Sequence, residues 1–396
     1  MTGPLASLKI LDFSTLLPGP FASLLLADLG AEVLRIESPI RPDLLRLLPP
    51  RVQGASAAHA WVNRNKRSLA LELKQPAARE VVHDLLRDYD ILIEQFRPGV
   101  MERLGLGYEV LKRINPRLIY VSISGYGQTG PYRARAGHDI NYLALSGLAT
   151  GTGRRDSGPV PPGVQIADLA GGSLHGVVGL LAAVIQRQLS GEGQQVDVGM
   201  TDCAFSLHAL GGAAALAGGV EPGLENQPLN GGSFYDYYRT CDDRWLAVGC
   251  LEPQFLQAFC TALGRPELAA RGLSQRTEDQ LALKGEFAAE IERRSLAECQ
   301  ALFADLDACV EPVLSFGEAL EHPQIAARKL VTEVPGPSGP LRQLACPLKF
   351  SAGLPPPRHS GAALGEHGEQ VLRELGYDEA RIGQLRDSGA LGGART

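Results

Sequence analysis

Leu8-Lys9-Ile10-Leu11-Asp12-Phe13 leads into Pro18-Gly19-Pro20, and Ala27-Asp28-Leu29-Gly30 leads into Ala31-Glu32-Val33-Leu34-Arg35-Ile36-Glu37. This stretch decides the fold class. The first run is short, apolar and followed by turn formers, which suits a buried strand. Pro18-Gly19-Pro20 opens a helix over 21–29, because proline is tolerated in a first turn whose N–H groups have no intrahelical partner. Gly30 stops that helix, and 31–37 reads as a second strand. Strand, helix and strand make a βαβ unit with parallel strands.

The same alternation continues outward. Further strands are expected at 68–73, 90–94 and 118–122, with helices at 77–88 and 100–114 between them. Such alternation implies an α/β fold with an open, mainly parallel sheet covered by helices on both faces. A long apolar helix is expected over 171–187, then a strand at 193–198 and a helix over 201–218. The stretch 218–232 is rich in Gly, Pro and Asn and reads as a linker. A hairpin is expected from 234–240 and 245–249 around Asp242-Asp243, followed by charged amphipathic helices between Pro253 and Leu330. Composition shifts again at Pro335-Gly336-Pro337, and 370–385 reads as a surface helix. There is no internal repeat.

Composition sets the outer bounds. The chain has 396 residues, 44% apolar and 21% charged, enough for a soluble protein with a sizeable core. A net charge of -6 argues against general affinity for nucleic acid. The seven cysteines are scattered, form no CxxC pair and are odd in number, so reduced, mostly buried thiols of a cytosolic protein are expected and a structural zinc site is not. Met1-Thr2-Gly3-Pro4 lacks the pattern of a signal peptide, and Gly393-Ala394-Arg395-Thr396 carries no address or lipidation signal. The apolar stretches 174–185 and 209–220 look too short or too glycine-rich to cross a bilayer. A cytoplasmic protein that engages neither membrane nor nucleic acid is the expectation.

Two segments carry the chemistry. Gly137-His138-Asp139-Ile140-Asn141-Tyr142 and Ala167-Asp168-Leu169-Ala170-Gly171-Gly172 each set an ionisable group beside glycine. An imidazole titrates near neutrality and can serve as base or acid. A carboxylate can do likewise if its surroundings keep it basic. Asp168 also fits an N-cap for the helix over 171–187, whose positive end would favour the ionised form. His138 taken alone suits a hydrogen-bonded structural histidine, and Asp139 a turn former. Glu252, before Pro253, suits a helix cap. Gly125-Tyr126-Gly127-Gln128-Thr129-Gly130 has the spacing of a dinucleotide-binding turn, but Pro131-Tyr132-Arg133 stands where the phosphate-binding helix should begin. A glycine turn closely approached by some ligand fits better. Arg35, Arg64, Lys66, Arg67, Lys74, Arg97 and Arg103 are ordinary solvated charges taken singly; a phosphate-bearing substrate would give them a joint purpose. No GxSxG, HExxH or P-loop occurs, so serine hydrolases, zincins and P-loop NTPases have no support.

Beyond these segments, Asn65-Lys66-Arg67-Ser68, Phe96-Arg97-Pro98-Gly99-Val100, Leu104-Gly105-Leu106-Gly107, Gly191-Glu192-Gly193-Gln194 and Pro347-Leu348-Lys349-Phe350 recur in one pattern with the opening stretch. With them the chain resembles the class III CoA-transferase (CaiB/BaiF) family, in its α-methylacyl-CoA racemase branch, over essentially its whole length. The resemblance implies a Rossmann-like large domain made from both chain ends (1–217 and 331–396), a linker (218–232) and a smaller α+β domain (233–330). It implies an interlocked homodimer in which the small domain covers the partner's site. It implies an acyl-CoA substrate with no cofactor besides, CoA being part of the substrate. His138 and Asp168 would be the two catalytic bases and Glu252 would support His138. CoA would meet Arg35, Leu71-Glu72-Leu73-Lys74, Arg97, Arg103, the turn Gly125-Tyr126-Gly127 and Gly137. Gly231-Gly232-Ser233-Phe234-Tyr235-Asp236 resembles the racemase version of its hairpin, with Ser233 in place of the more usual alanine.

The expected reaction is epimerisation of 2-methylacyl-CoA thioesters. One base removes the acidic α-hydrogen and the other returns a proton to the opposite face, while backbone N–H groups at 168–172 hold the enolate oxygen. Two other readings stay open: a CoA-transferase working through an Asp168 mixed anhydride, and a CoA-thioester-binding protein without turnover.

Overall fold

The structure is a computed structural model and describes residues 2–393. Met1 and Ala394 to Thr396, to which the readings of the chain ends partly apply, lie outside them. The chain forms two compact units. The first comprises the chain up to Ser146, Val164–Ser206 and everything from Ala326; the second comprises Gly147–Gly163 and Leu207–Ile325.

The first unit is built on a six-stranded sheet. Its strands are β1 (Lys9–Asp12), β2 (Glu32–Glu37), β3 (Lys66–Ala70), β4 (Ile91–Glu94), β5 (Ile119–Ser124) and β6 (Gln195–Gly199). All five pairings are parallel, in the order β6-β5-β4-β1-β2-β3. The expected α/β class and Rossmann-like sheet are therefore present. Helix α1 (Pro18–Asp28) starts on its prolines as the sequence suggests. One sheet face packs Leu11, Leu34, Leu69, Leu92 and Tyr120 against Val81, Leu85, Leu372 and Ile382 of surrounding helices. The order reverses between β1 and β4, and in open α/β sheets the crevice beyond the carboxyl ends of such strands is where ligands bind.

Several helices differ from expectation. Residues 100–114 form two short helices, Val100–Arg103 and Tyr108–Ile114. Gly105 between them takes φ +72°, and a side chain at Gly107 would lie 2.9 Å from Glu102 Cγ. Residues 201–218 likewise split into Met200–Ser206 and Gly211–Leu216. The tail forms Gly368–Glu374 and Glu379–Asp387, divided at Gly376, which has φ +85°.

The apolar helix starts earlier and ends later than expected. It runs Ala167–Ser190, with π-helical turns over Ala167–Leu174; this is α3, and α2 is Asp139–Leu145. At 24 residues and a mean hydropathy of 1.6, α3 is long and apolar enough to cross a membrane by length and composition alone. Its glycines have a packing use, however: a Cβ at Gly172 would lie 3.0 Å from Pro18 and one at Gly176 would lie 3.1 Å from Ile123.

The second unit is α+β. A three-stranded antiparallel sheet, β7 (Asp236–Arg239), β8 (Trp245–Val248) and β9 (Val310–Pro312), packs Tyr238, Leu246 and Val248 on Phe259, Phe287 and Leu296. Segment 147–163, expected in the large domain, belongs here because Arg154 pairs with Asp236 at 2.7 Å and Glu225 at 2.9 Å. Ser233 is satisfied by donating to the Pro228 carbonyl at 2.7 Å. Of the cysteines, Cys250, Cys260 and Cys299 are buried but Cys241 and Cys309 are exposed, so the expectation of mostly buried thiols is too strong.

Candidate active site

A cleft of about 270 Å³ opens beyond the carboxyl ends of β1, β4 and β5, at the sheet's switch point. It is lined by Leu16 and Pro18 after β1, Gln95 to Pro98 after β4, and Ile123 to Tyr126 at the end of β5. Gly137, His138 and Asp168 complete its chemistry. The structure thus brings together His138, Asp168, Arg97, Gly125, Tyr126 and Gly137 from the sequence-derived set.

The two motif segments are tied directly to each other. His138 stands at the N-cap of α2, its N–H donating to Asn141 Oδ1 at 3.0 Å. Its imidazole is exposed. Asp139, the next residue, is buried and accepts the Asp168 backbone N–H at 3.0 Å. Asp139 is thus the fastener between His138 and Asp168 rather than a plain turn former.

Asp168 departs from its expected N-cap role. It lies inside the first turn of α3, where Ile166 is the N-cap, without a side-chain capping bond. No hydrogen-bond donor reaches its carboxylate among the described residues. Burial, with a smaller contribution from the charge of Asp139, therefore pushes its carboxyl up from 3.8 to about 7. Desolvation outweighs the favourable helix end, and the outcome is a carboxylate basic enough to trade protons at neutral pH. The expected enolate donors are partly spent: the Asp168 N–H is taken by Asp139 and the Leu169 N–H by the Gln165 carbonyl at 2.9 Å.

Tyr142 explains the glycines. Its ring crosses Tyr126 edge-on at 5.2 Å, and its hydroxyl donates to the Gly137 carbonyl at 2.5 Å. A Cβ at Gly125 or Gly137 would lie 2.5 or 2.6 Å from that ring. Burial, then the nearby Asp168, pushes the Tyr142 phenol up to about 12. The turn at 125–130 is followed by no helix until α2, and Gly127, at φ +79°, faces Asp197 rather than the cleft.

The basic residues divide sharply. Arg35, expected at the CoA phosphates, is 1% exposed. Residues 33, 35 and 37 share one face of an interior strand, and that face is covered. Arg35 pairs with Asp43 at 2.6 Å and Glu37 at 3.2 Å. These partners, with Asp12, raise its pKa against the lowering effect of burial. Arg64 is likewise buried on Asp28, and Lys66 stands 3.7 Å from Asp12. Arg67 is shared between Glu32 and Glu374. Lys74, Arg97 and Arg103 are exposed and have no acidic partner among the described residues. Arg103 folds back over the Phe96–Gly99 turn, its Nη1 3.2 Å from where a Cβ on Gly99 would stand.

The rest of the expected CoA set lies outside this cleft. Leu71 is fully buried, bridged to Leu391, so its side chain is core. Leu73 packs on the same core, and Glu72 accepts the Lys74 N–H at 3.1 Å. Glu252 belongs to the second unit, exposed at the N-cap of helix Pro253–Ala262, with no capping bond from its side chain. Leu16, Ser124 and Tyr142 were not singled out from sequence; only the glycines facing Tyr142 carried a signal for it. Ser124 is 5% exposed, and its Oγ has no hydrogen-bond partner among the described residues.

Comparison with known proteins agrees with this architecture. The sequence profile of CoA-transferase family III matches residues 5–368. The chain is 37% identical to the alpha-methylacyl-CoA racemase of Homo sapiens, over 96% of each chain. It is 34% identical to the acetyl-CoA:oxalate CoA-transferase of Acetobacter aceti, over 96% of this chain and 97% of that one. A crystal structure of a CaiB/BaiF family protein from Brucella suis superposes with a TM-score of 0.82 at 30% identity, covering 95% of this chain and all of that one. With a profile match across nearly its whole length and the matching fold, the chain belongs to CoA-transferase family III, a family of racemases and CoA-transferases.

Proposed function

We propose that the protein is a 2-methylacyl-CoA racemase. The observation that carries this reading is the cleft that His138 shares with an Asp168 whose carboxyl sits near 7. A thioester in that cleft would present its α-hydrogen to two groups able to exchange protons at neutral pH. One removes the α-hydrogen, the thioester carbonyl takes up the charge as an enolate, and the other group returns a proton from the opposite side. Arg97, exposed at the cleft's rim, and Arg103 beside it hold CoA phosphates, with Lys74 further along the same sheet edge. Glu252 orients the His138 imidazole from the partner's small domain in a homodimer. The chemistry asks for no metal or redox cofactor.

The transferase reading keeps one observation in its favour: CoA-transferases are nearly as similar to the chain as racemases are. It asks Asp168 to attack an acyl-CoA as a free carboxylate, with His138 incidental. A panel of 2-methylacyl-CoAs in D2O tests the proposal. Deuterium at the α-carbon with loss of optical purity is expected. No α-deuteration of any thioester, together with CoA movement to a free acid and an Asp168 adduct trapped by hydroxylamine, would install the transferase. Tight binding with neither activity would leave a non-catalytic CoA-thioester binder.

A further inference from the structure

Leu16 has a left-handed backbone, φ +59°, in the loop between β1 and α1. A bulky residue seldom takes that conformation, and where one does the strain tends to mark a functional position. Its backbone is over-determined. The Leu16 N–H donates to both carboxylate oxygens of Asp43, at 3.1 and 3.2 Å. Asp43 is itself 3% exposed and held by Arg35 at 2.6 Å. Arg35 also donates to the Ser14 carbonyl at 3.2 Å, and Ser173 of α3 donates to the Pro18 carbonyl at 2.6 Å.

Each of these bonds at Ser14, Leu16 and Pro18 is to the backbone, so any residue but proline at 16 could make them, and glycine could make them without strain. The leucine side chain must be wanted for something else. It lines the cleft with Asp168 and His138, among the apolar groups of Pro18, Phe96, Ile123 and Met200.

We propose that Leu16 is the specificity wall of the site: its side chain packs against the alkyl branch at the α-carbon of the acyl thioester, and the buried Arg35–Asp43 pair is the positioning device that aims it. The identity of the bound group rests on the racemase reading; the wall itself does not. The clamp also gives Arg35 a purpose unrelated to phosphate.

The test is Leu16→Gly, which removes the wall while relieving the strain, so the protein should melt no lower than wild type. The ratio of kcat/KM for α-deuteration of a 2-methylacyl-CoA to that of its unbranched counterpart should fall about 10-fold, the scale of lost apolar contact in a pocket. A second arm needs no turnover: binding of an inert CoA thioether carrying a 2-methyl-branched chain, against its straight-chain twin, should lose the same preference. Asp43→Asn should shift the ratio in the wild-type background but add little in the Leu16→Gly background, since it acts through Leu16. Unchanged branched-to-straight ratios in both arms for a folded Leu16→Gly protein overturn the wall. If wild type deuterates neither thioester, the racemase reading falls, and the thioether arm still decides the wall.

Discussion

Asp168→Asn tests the electrostatics of the cleft more directly than any activity assay. An ordinary aspartate ionises near 3.8, whereas Asp168 does so near 7 in the folded protein. Between those values the native state holds a proton that the unfolded chain releases, so wild-type stability falls as pH rises across the window. Below 3.8 both states are protonated and the cost vanishes; above 7 it is fully present. Asparagine carries no such cost. A shift of about three units at 1.36 kcal/mol each sets a ceiling of roughly 4 kcal/mol. Solvent reaches this half-buried group, which brings the expectation to about 1–2 kcal/mol. Loss of a negative charge from the first turn of α3 takes back about 0.3–1 kcal/mol. Asp168→Asn should therefore be nearly neutral in acid and stabilising in mild alkali, even as α-exchange collapses. Urea unfolding of both proteins at steps from about pH 4 to about pH 9 reads the difference. A difference that stays flat with pH, or a variant less stable at the alkaline end, would refute the argument that burial without donors sets this carboxyl.

His138→Ala should slow α-deuteration by about 10²–10⁴-fold with an unchanged melting temperature, because the imidazole is exposed; near-wild-type exchange in D2O would return His138 to a structural role. Arg97→Ala should raise KM for acyl-CoA more than it lowers kcat, with the effect shrinking in high salt. Arg35→Ala should instead cost about 3–5 kcal/mol of stability in a denaturation assay, because it strands Asp43 in the interior, while Glu37 keeps Arg46. Gly137→Ala places a methyl 2.6 Å from the Tyr142 ring and 2.8 Å from the Tyr126 hydroxyl, and should lose about 1–3 kcal/mol by thermal melting along with activity.

The sheet was legible because its signals are local: an apolar run, a proline start and a glycine stop each act within a few residues, and β1-α1-β2 follows from them. Burial of a particular charge is not local. Nothing in Val33-Leu34-Arg35-Ile36-Glu37 says that the face holding Arg35 is the covered one, so a phosphate ligand and a buried ion pair read alike. Arg97, on the turn beyond β4, and Arg103, at the end of the short helix that follows it, are both exposed, because a segment just beyond a strand end has few ways of being covered. Glycine was misread where it broke helices at 104–107 and 375–378, since the apolar spacing continues across both breaks. Within the site, the pairing of the His138 and Asp168 segments could be anticipated, but the bond that joins them depends on Asp139, whose neighbourhood only the tertiary structure supplies.

The π-helical opening of α3 has a consequence for how Asp168 is aimed. A π turn holds one more residue than an α turn of the same rise. Rewinding Ala167–Leu174 to α geometry at unchanged length would turn everything before it by about 100°, one residue's worth of rotation, relative to the rest of the helix. Asp168 would then point away from His138 without a single side chain having changed. The carboxylate's direction is thus stored in the phase of the winding. Removing one residue between Asp168 and Gly172 together with that rewinding would restore the aim, so the length and the winding of this turn are matched to each other.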